Sequence, residues 1–179
     1  VVYLCGAPGT GKTTLTRRLM THYGVSKTPS IDPAWPLVPF HSDNSRLFVL
    51  GKYEDGEVFS GTDRMSMAVQ PEAIKFIDGL YDNATVFGEG DRLFTNSFMQ
   101  HCNENHNLSI YLLTTTEDVR VERYKERGSN QNETWLAGRL TKIRNIVGNM
   151  DFMSIIHRFN NNNKEEQQIV FDAIIKDIG

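Results

Sequence analysis

Gly6-Ala7-Pro8-Gly9-Thr10-Gly11-Lys12-Thr13 matches the pattern G-x-x-x-x-G-K-[ST] at every required position, and no other segment constrains the fold as tightly. Such a loop needs a buried strand before it and a helix after it. Val1-Val2-Tyr3-Leu4-Cys5 is an apolar, β-branched run suited to a strand buried on both faces of a parallel sheet. Leu15, Leu19 and Met20 then recur at near-helical spacing, and Gly24 is the expected stop. The glycines let the loop wrap with its N–H groups turned inward. The helix start adds unpaired donors and positive dipole. Lys12 can reach β- and γ-phosphates, while the Thr13 hydroxyl can ligate Mg²⁺. A glycine-rich turn with a chance lysine is the competing reading, and both flanks weigh against it. The loop implies nucleoside triphosphate binding without fixing the reaction, because kinases, ATPases and switches share it.

The chain of 179 residues is expected to form one domain over 1–179, with 39% apolar and 23% charged residues, ordinary globular values. A net charge of −3 neither demands nor excludes a nucleic-acid partner. Cys5 and Cys102 have no metal-ligand spacing and read as free thiols in a reducing cytosol. No apolar run reaches membrane-spanning length, and the chain opens on its first strand without Met, so a few leading residues are expected to be missing.

Four prolines (Pro29, Pro33, Pro36, Pro39) forbid a long helix in 25–46, which reads as irregular. Leu47 to Leu50 and Val58-Phe59 are expected to pair as a hairpin. A helix is expected over Pro71–Leu80, a strand over Ala84–Phe87, a helix over Leu93–Glu104 and a strand over Leu108–Leu113. A helix starting near Thr116 and stopping at Gly128 follows, then one over Glu133–Asn149 and a last strand over Met153–Ile156. Asn160 to Asn163 can contact a base or simply turn and cap, with Asn163 and Glu166 at capping-box spacing; the cap is the favoured reading. Val170, Ile174 and Ile178 give the final helix a docking stripe. The alternation predicts an α/β sandwich around a mostly parallel sheet.

Ligands of open parallel sheets sit at the carboxyl ends of strands, which favours Glu89 and Asp91 in Gly88-Glu89-Gly90-Asp91-Arg92. A carboxylate there can hold the Mg²⁺ shell or accept an acceptor proton; a solvated turn is the alternative. In Gly61-Thr62-Asp63-Arg64, Arg64 can clamp a phosphate and Asp63 can act as general base, or Thr62 or Asp63 merely caps a helix. Arg120, Arg123 and Arg127 lie three and four residues apart on one helix face, and Arg139 and Lys142 share a face of the next. Two arginine-bearing helices joined by a polar loop (116–149) fit a lid closing over phosphates, against the alternative of a salt-bridged solvated face. Trp135 reads as core by default.

With cradle, strand-end acidic turn and arginine-bearing lid in that order, the chain resembles the nucleoside monophosphate kinase-like P-loop kinases over nearly its whole length. The resemblance implies a three-layer sandwich, five strands in order 2-3-1-4-5, and an acceptor-binding segment over roughly residues 25–75. It implies ATP and Mg²⁺, with Gly6, Ala7, Gly9, Thr10, Gly11, Lys12, Thr13, Thr14 and Arg123 around the nucleotide and Thr13 and Glu89 at the metal. Lys12, Asp63, Glu89, Arg127 and Arg139 are then the catalytic candidates, and Arg64, Asp91 and Arg92 the acceptor contacts. Glu89-Gly90-Asp91-Arg92 stands where such kinases carry Asp-Gly-Phe-Pro-Arg, which argues against a simple adenylate or uridylate kinase. Leu50-Gly51-Lys52-Tyr53 through Arg64, and Gly128 through Trp135, are similar to tailed-phage kinases of 5-hydroxymethyluracil in DNA. That likeness implies phosphorylation of a base hydroxymethyl group in DNA. A free mononucleotide or other small-molecule acceptor, or a switch that transfers phosphate only to water, are the alternatives.

Overall fold

Val2 to Gly6 form strand β1, buried along its whole length, in the computed structural model of the chain, which describes residues 1–54, 60–126 and 133–179. Alternation sends Val2 and Leu4 into one apolar cluster and Tyr3 and Cys5 into another, which is why the run carries no charge. The first cluster lies under helices α1 (Lys12–His22) and α6 (Lys164–Ile178), including Leu15, Leu19, Val170 and Ile174. The second lies under α2 (Val69–Asp78) and α3 (Asn96–Asn105), including Phe76 and Phe98. Layers of helix, sheet and helix result. The docking stripe expected on the last helix is the buried face of α6.

The remaining strands are β2 (Ser30–Ile31), β3 (Pro39–Ser42), β4 (Leu47–Leu50), β5 (Thr85–Glu89), β6 (Ser109–Thr114) and β7 (Ile156–Asn160), in sheet order β2-β3-β4-β5-β1-β6-β7. The sheet therefore has seven strands, not five. The five parallel ones, β4-β5-β1-β6-β7, do follow the order 2-3-1-4-5 when counted along the chain. The two extra strands are antiparallel and come from the segment that reads as irregular. Pro39 is tolerated because it is the first residue of β3, where its carbonyl accepts the Gly51 N–H at 2.8 Å and no amide of its own is needed.

Leu47–Leu50 forms its hairpin with β3 and pairs on its other side with β5, which leaves neither edge for the expected partner. Lys52 and Gly61 do exchange both backbone hydrogen bonds (3.2 and 2.8 Å), closing the base of the expected hairpin, while Val58 and Phe59 lie outside the described residues. The last strand is displaced from Met153–Ile156 to Ile156–Asn160. Met150–Ile155 is instead a 3-10 helix that Asn149 caps and Phe152 anchors. An edge strand half open to solvent carries no apolar signature, and the neighbouring methionines imitate one.

Helix α4 (Glu117–Glu126) buries no residue, and α5 (Glu133–Val147) follows it. Asn163 caps α6 by accepting the Glu166 N–H at 2.8 Å. The Glu166 carboxylate returns to the N–H of Asn162 (2.6 Å), one residue earlier than a capping box requires. Among the described residues no helix is long and apolar enough to cross a membrane.

Candidate active site

The loop between β1 and α1 turns on Gly9 (φ 81°) and Gly11 (φ 89°), left-handed positions that a side chain would strain. No side chain caps α1, so the amides of its first turn stay turned toward the loop. Lys12 folds back, its Nζ donating to Gly6 O (2.9 Å) and Ala7 O (3.1 Å). Burial lowers the Lys12 pKa, and the carboxylates of Glu89 and Asp63 work against that shift. Thr10 closes the loop onto Ala7 O (2.8 Å), and Thr14 faces outward on α1.

Thr13 and Glu89 meet. Glu89, at the end of β5, is 2% exposed, and its Oε1 accepts the Thr13 hydroxyl at 3.0 Å. Two oxygen ligands at adjacent corners of a Mg²⁺ octahedron lie about 2.9 Å apart, so this donor pair fits the ion the loop implies. Its surroundings are built by residues with no motif signature. Thr62 donates to Glu89 O (2.8 Å), and the Tyr3 hydroxyl to Gly90 O (3.2 Å). The Tyr53 ring brings its hydroxyl beside Gly61, against which Glu89 also packs. Burial, then the nearby Glu89 charge, raises the Tyr53 pKa well above its ordinary value. The Thr16 hydroxyl tempers this rise, although among the described residues no hydrogen bond of good geometry reaches the Tyr53 oxygen.

Asp63 does not cap the 3-10 turn Thr62–Arg64. Its Oδ1 instead accepts the N–H groups of Asp91 (2.7 Å) and Arg92 (3.1 Å), and its Oδ2 faces Arg139 at 3.2 Å. Asp91 also meets Arg139 (3.7 Å) and Lys142 (3.3 Å), so α5 is tied to the turn after β5 by carboxylates from two segments. Arg64 pairs with Glu54. Arg92 reaches Met67 Sδ and Asp63 O, while its buried Nε has no partner among the described residues. Trp135 is not core: it is 36% exposed, and the Arg139 guanidinium lies 4.1 Å from its ring centroid.

On the other flank, α4 leans on the loop itself. Arg123 donates to Gly9 O (3.1 Å) and Asn161 O (2.8 Å), and Tyr124 to Pro8 O (2.7 Å). Arg120 packs its stem close to Gly9. Arg127 lies outside the described residues. Asn161, fully buried, donates to Thr10 O at 2.6 Å, a loop contact that neither reading of the asparagine run contained. Helical spacing already sets Arg120 on the face of Arg123, and Tyr124 follows Arg120 by four residues; nothing in the sequence points to the contacts that Thr62, Tyr53 and Asn161 make.

A five-stranded parallel core in this order, with a phosphate cradle at the carboxyl end of its first strand, defines a P-loop kinase fold. The chain belongs to the P-loop Nucleotide Kinase3 family, whose sequence profile matches residues 1–158. No curated protein matches the sequence. Among solved structures, a gluconokinase from Sinorhizobium meliloti 1021 shares the fold at 16% identity and TM-score 0.52, covering 99% of this chain and 94% of that one. Others are an uncharacterized protein from Eubacterium ventriosum ATCC 27560 (14% identity, TM-score 0.49, covering 99% and 96%) and the shikimate kinase of Bacteroides thetaiotaomicron (15%, 0.47, 98% and 95%).

Proposed function

We propose that the protein transfers the γ-phosphate of ATP to a hydroxyl acceptor, with Mg²⁺ held by Thr13 and Glu89. The observation that carries this reading is the 3.0 Å approach of the Thr13 hydroxyl to the buried Glu89 carboxylate beside Lys12. Bound Mg²⁺ supplies positive charge against the β- and γ-oxygens. In the proposed roles, Lys12 exchanges the carbonyls of Gly6 and Ala7 for phosphate oxygens, and the loop amides of Gly9, Gly11 and Thr13 cradle the chain. Arg123 steadies the loop from α4, and Arg139 and Arg127 add charge over the transferring group. Asp63 or Glu89 receives the acceptor proton, and Arg64, Asp91 and Arg92 line the acceptor side, within a single domain whose 116–149 region is the lid and whose 25–75 region holds the acceptor.

The acceptor we propose is the hydroxymethyl group of 5-hydroxymethyluracil in DNA, supported by the likeness of residues 50–64 and 128–135 to kinases of that base. Membership of a nucleotide kinase family supports a free mononucleotide as the second reading. The deciding experiment incubates the protein with γ-labelled ATP, Mg²⁺ and, separately, hydroxymethyluracil DNA, plain DNA and mononucleotides. Label in the first alone supports the DNA reading, and label in a mononucleotide replaces it. ATP consumed with no acceptor labelled makes the protein a switch or ATPase. Lys12→Ala is expected to cut transfer by on the order of 10²-fold or more, and full activity in that variant removes the cradle assignment.

A further inference from the structure

Asp78, the last residue of α2, receives two imidazoles on one oxygen: His101 Nε2 and His106 Nε2 each lie 2.8 Å from its Oδ1. His101 sits in the last turn of α3 and His106 just past its end. In a parallel sheet the helix between two strands ends near the amino edge of the next strand, so the trio lies at the end of the molecule opposite the cradle, near the starts of β5 and β6. None of the three side chains takes part in the site described above.

We propose that Asp78, His101 and His106 form a site for a divalent cation of the Zn²⁺ class that pins the carboxyl ends of α2 and α3 together. One ligand atom from each residue lies within 4.8 Å of the other two. Tetrahedral Zn²⁺ with bonds of about 2.0–2.2 Å holds its ligand atoms about 3.3 Å apart, a spacing reached by side-chain rotation alone. The side chains meet solvent, with 25%, 26% and 44% of His101, His106 and Asp78 exposed. Asp78 and His106 border an open hollow of about 580 Å³ in which the Asp78, Asp82 and Glu104 carboxylates outweigh the Val1 amino group, so its field attracts cations and leaves room for water as a fourth ligand. Two imidazoles and a carboxylate select Zn²⁺, Ni²⁺ or Co²⁺ over Mg²⁺, which takes oxygen donors, so the site does not compete for the ion of the kinase reaction. Ligation through Nε2 leaves the His101 proton on Nδ1. That Nδ1 faces the Asn105 side chain at 3.4 Å, beside the hollow.

The test titrates ZnCl₂ calorimetrically into chelator-treated full-length protein with excess Mg²⁺ present. One Zn²⁺ per chain is expected, together with a Zn²⁺-dependent rise in thermal midpoint. The double variant His101→Gln/His106→Gln, whose amides can still donate to Asp78, is expected to lose at least 100-fold in affinity and the midpoint rise. Absence of saturable binding, or binding unchanged in the double variant, overturns the proposal. Should that variant fail to fold, ¹⁵N spectra of the wild-type imidazoles decide: Zn²⁺ must shift the Nε2 resonances of His101 and His106, and unmoved resonances reject the site. The outcome is independent of kinase activity.

Discussion

Gly61 holds φ 76° beneath the candidate metal pair, and a Cβ added there would come to 2.8 Å from Glu89 Oε1 and 2.9 Å from the Tyr53 hydroxyl. Both obstacles are side-chain ends, so Gly61→Ala can fold by displacing the carboxylate that faces Thr13. The expected outcome is a stability loss of about 1–2 kcal/mol from the positive φ, with Mg²⁺-dependent transfer reduced by on the order of 10-fold. Gly51, at φ 111°, behaves differently, because its Cβ would meet the Gly61 carbonyl carbon at 2.2 Å, and that backbone cannot rotate aside. Gly51→Ala is expected to lower the thermal midpoint further than Gly61→Ala. Paired melts and labelled-phosphate assays check the ranking, and the reverse order would contradict this account of the site floor. Glu89 and Thr13 are legible in the sequence because each sits at a fixed offset from a strand end or from the loop motif. Gly61, Tyr53 and Thr62 are not, because what they touch is fixed only when Lys52 pairs with Gly61 and brings both sides of that bridge to the end of β5.

At the scale of elements, the 3-10 turn Thr62–Arg64, the turn after β5 and helix α5 converge on Asp63. One of its oxygens satisfies two backbone amides and the other faces a guanidinium, whereas Asp91 contributes two ion pairs from a quarter-exposed side chain. Partly exposed ion pairs contribute up to about 1 kcal/mol, while leaving the two amides unsatisfied costs about 1–3 kcal/mol. Asp63→Ala is therefore expected to destabilise the chain by about 2–3 kcal/mol and Asp91→Ala by less than about 1 kcal/mol, read from urea unfolding midpoints. Equal losses would mean that Asp63 does not organise the turn. The Asn163 cap is a smaller and separate term: Asn163→Ala should cost about 1 kcal/mol in the same measurement. That cap was readable from the Asn163–Glu166 spacing, since capping is local. The convergence on Asp63 was not, because it joins segments whose separation in sequence carries no period. Trp135 was misread for a related reason: an aromatic on α5 defaults to core until the Arg139 guanidinium is seen beside it.

Across the whole molecule, the order of the parallel strands follows from the cradle and the family it implies, while the antiparallel edge escaped notice because prolines masked strands as short as β2. That edge links distant parts of the chain through His41 on β3. The ring is fully buried, its Nδ1 lies 2.8 Å from Ser26 O, and its edge approaches Tyr53, whose hydroxyl neighbours the Glu89 site. Since a carbonyl only accepts, the Ser26 contact fixes the proton on Nδ1 and leaves Nε2 as a buried lone pair without a partner among the described residues. Charging the ring would bury a second N–H with no acceptor. Burial accordingly lowers the His41 pKa, and the Ser26 carbonyl and the Glu54 charge offset only part of that shift. The unfolded chain then binds more protons than the folded one as pH falls through about 6.5, so folding stability must rise with pH across that window and decline on acidification toward the lowered folded value. His41→Gln removes the titrating ring and should flatten the slope below about pH 6.5, whatever its effect on stability at neutral pH. Urea unfolding at several pH values measures both slopes. Parallel profiles for wild type and variant would show that His41 is not held neutral by the fold, and that its burial beside Tyr53 does not set the ring's charge.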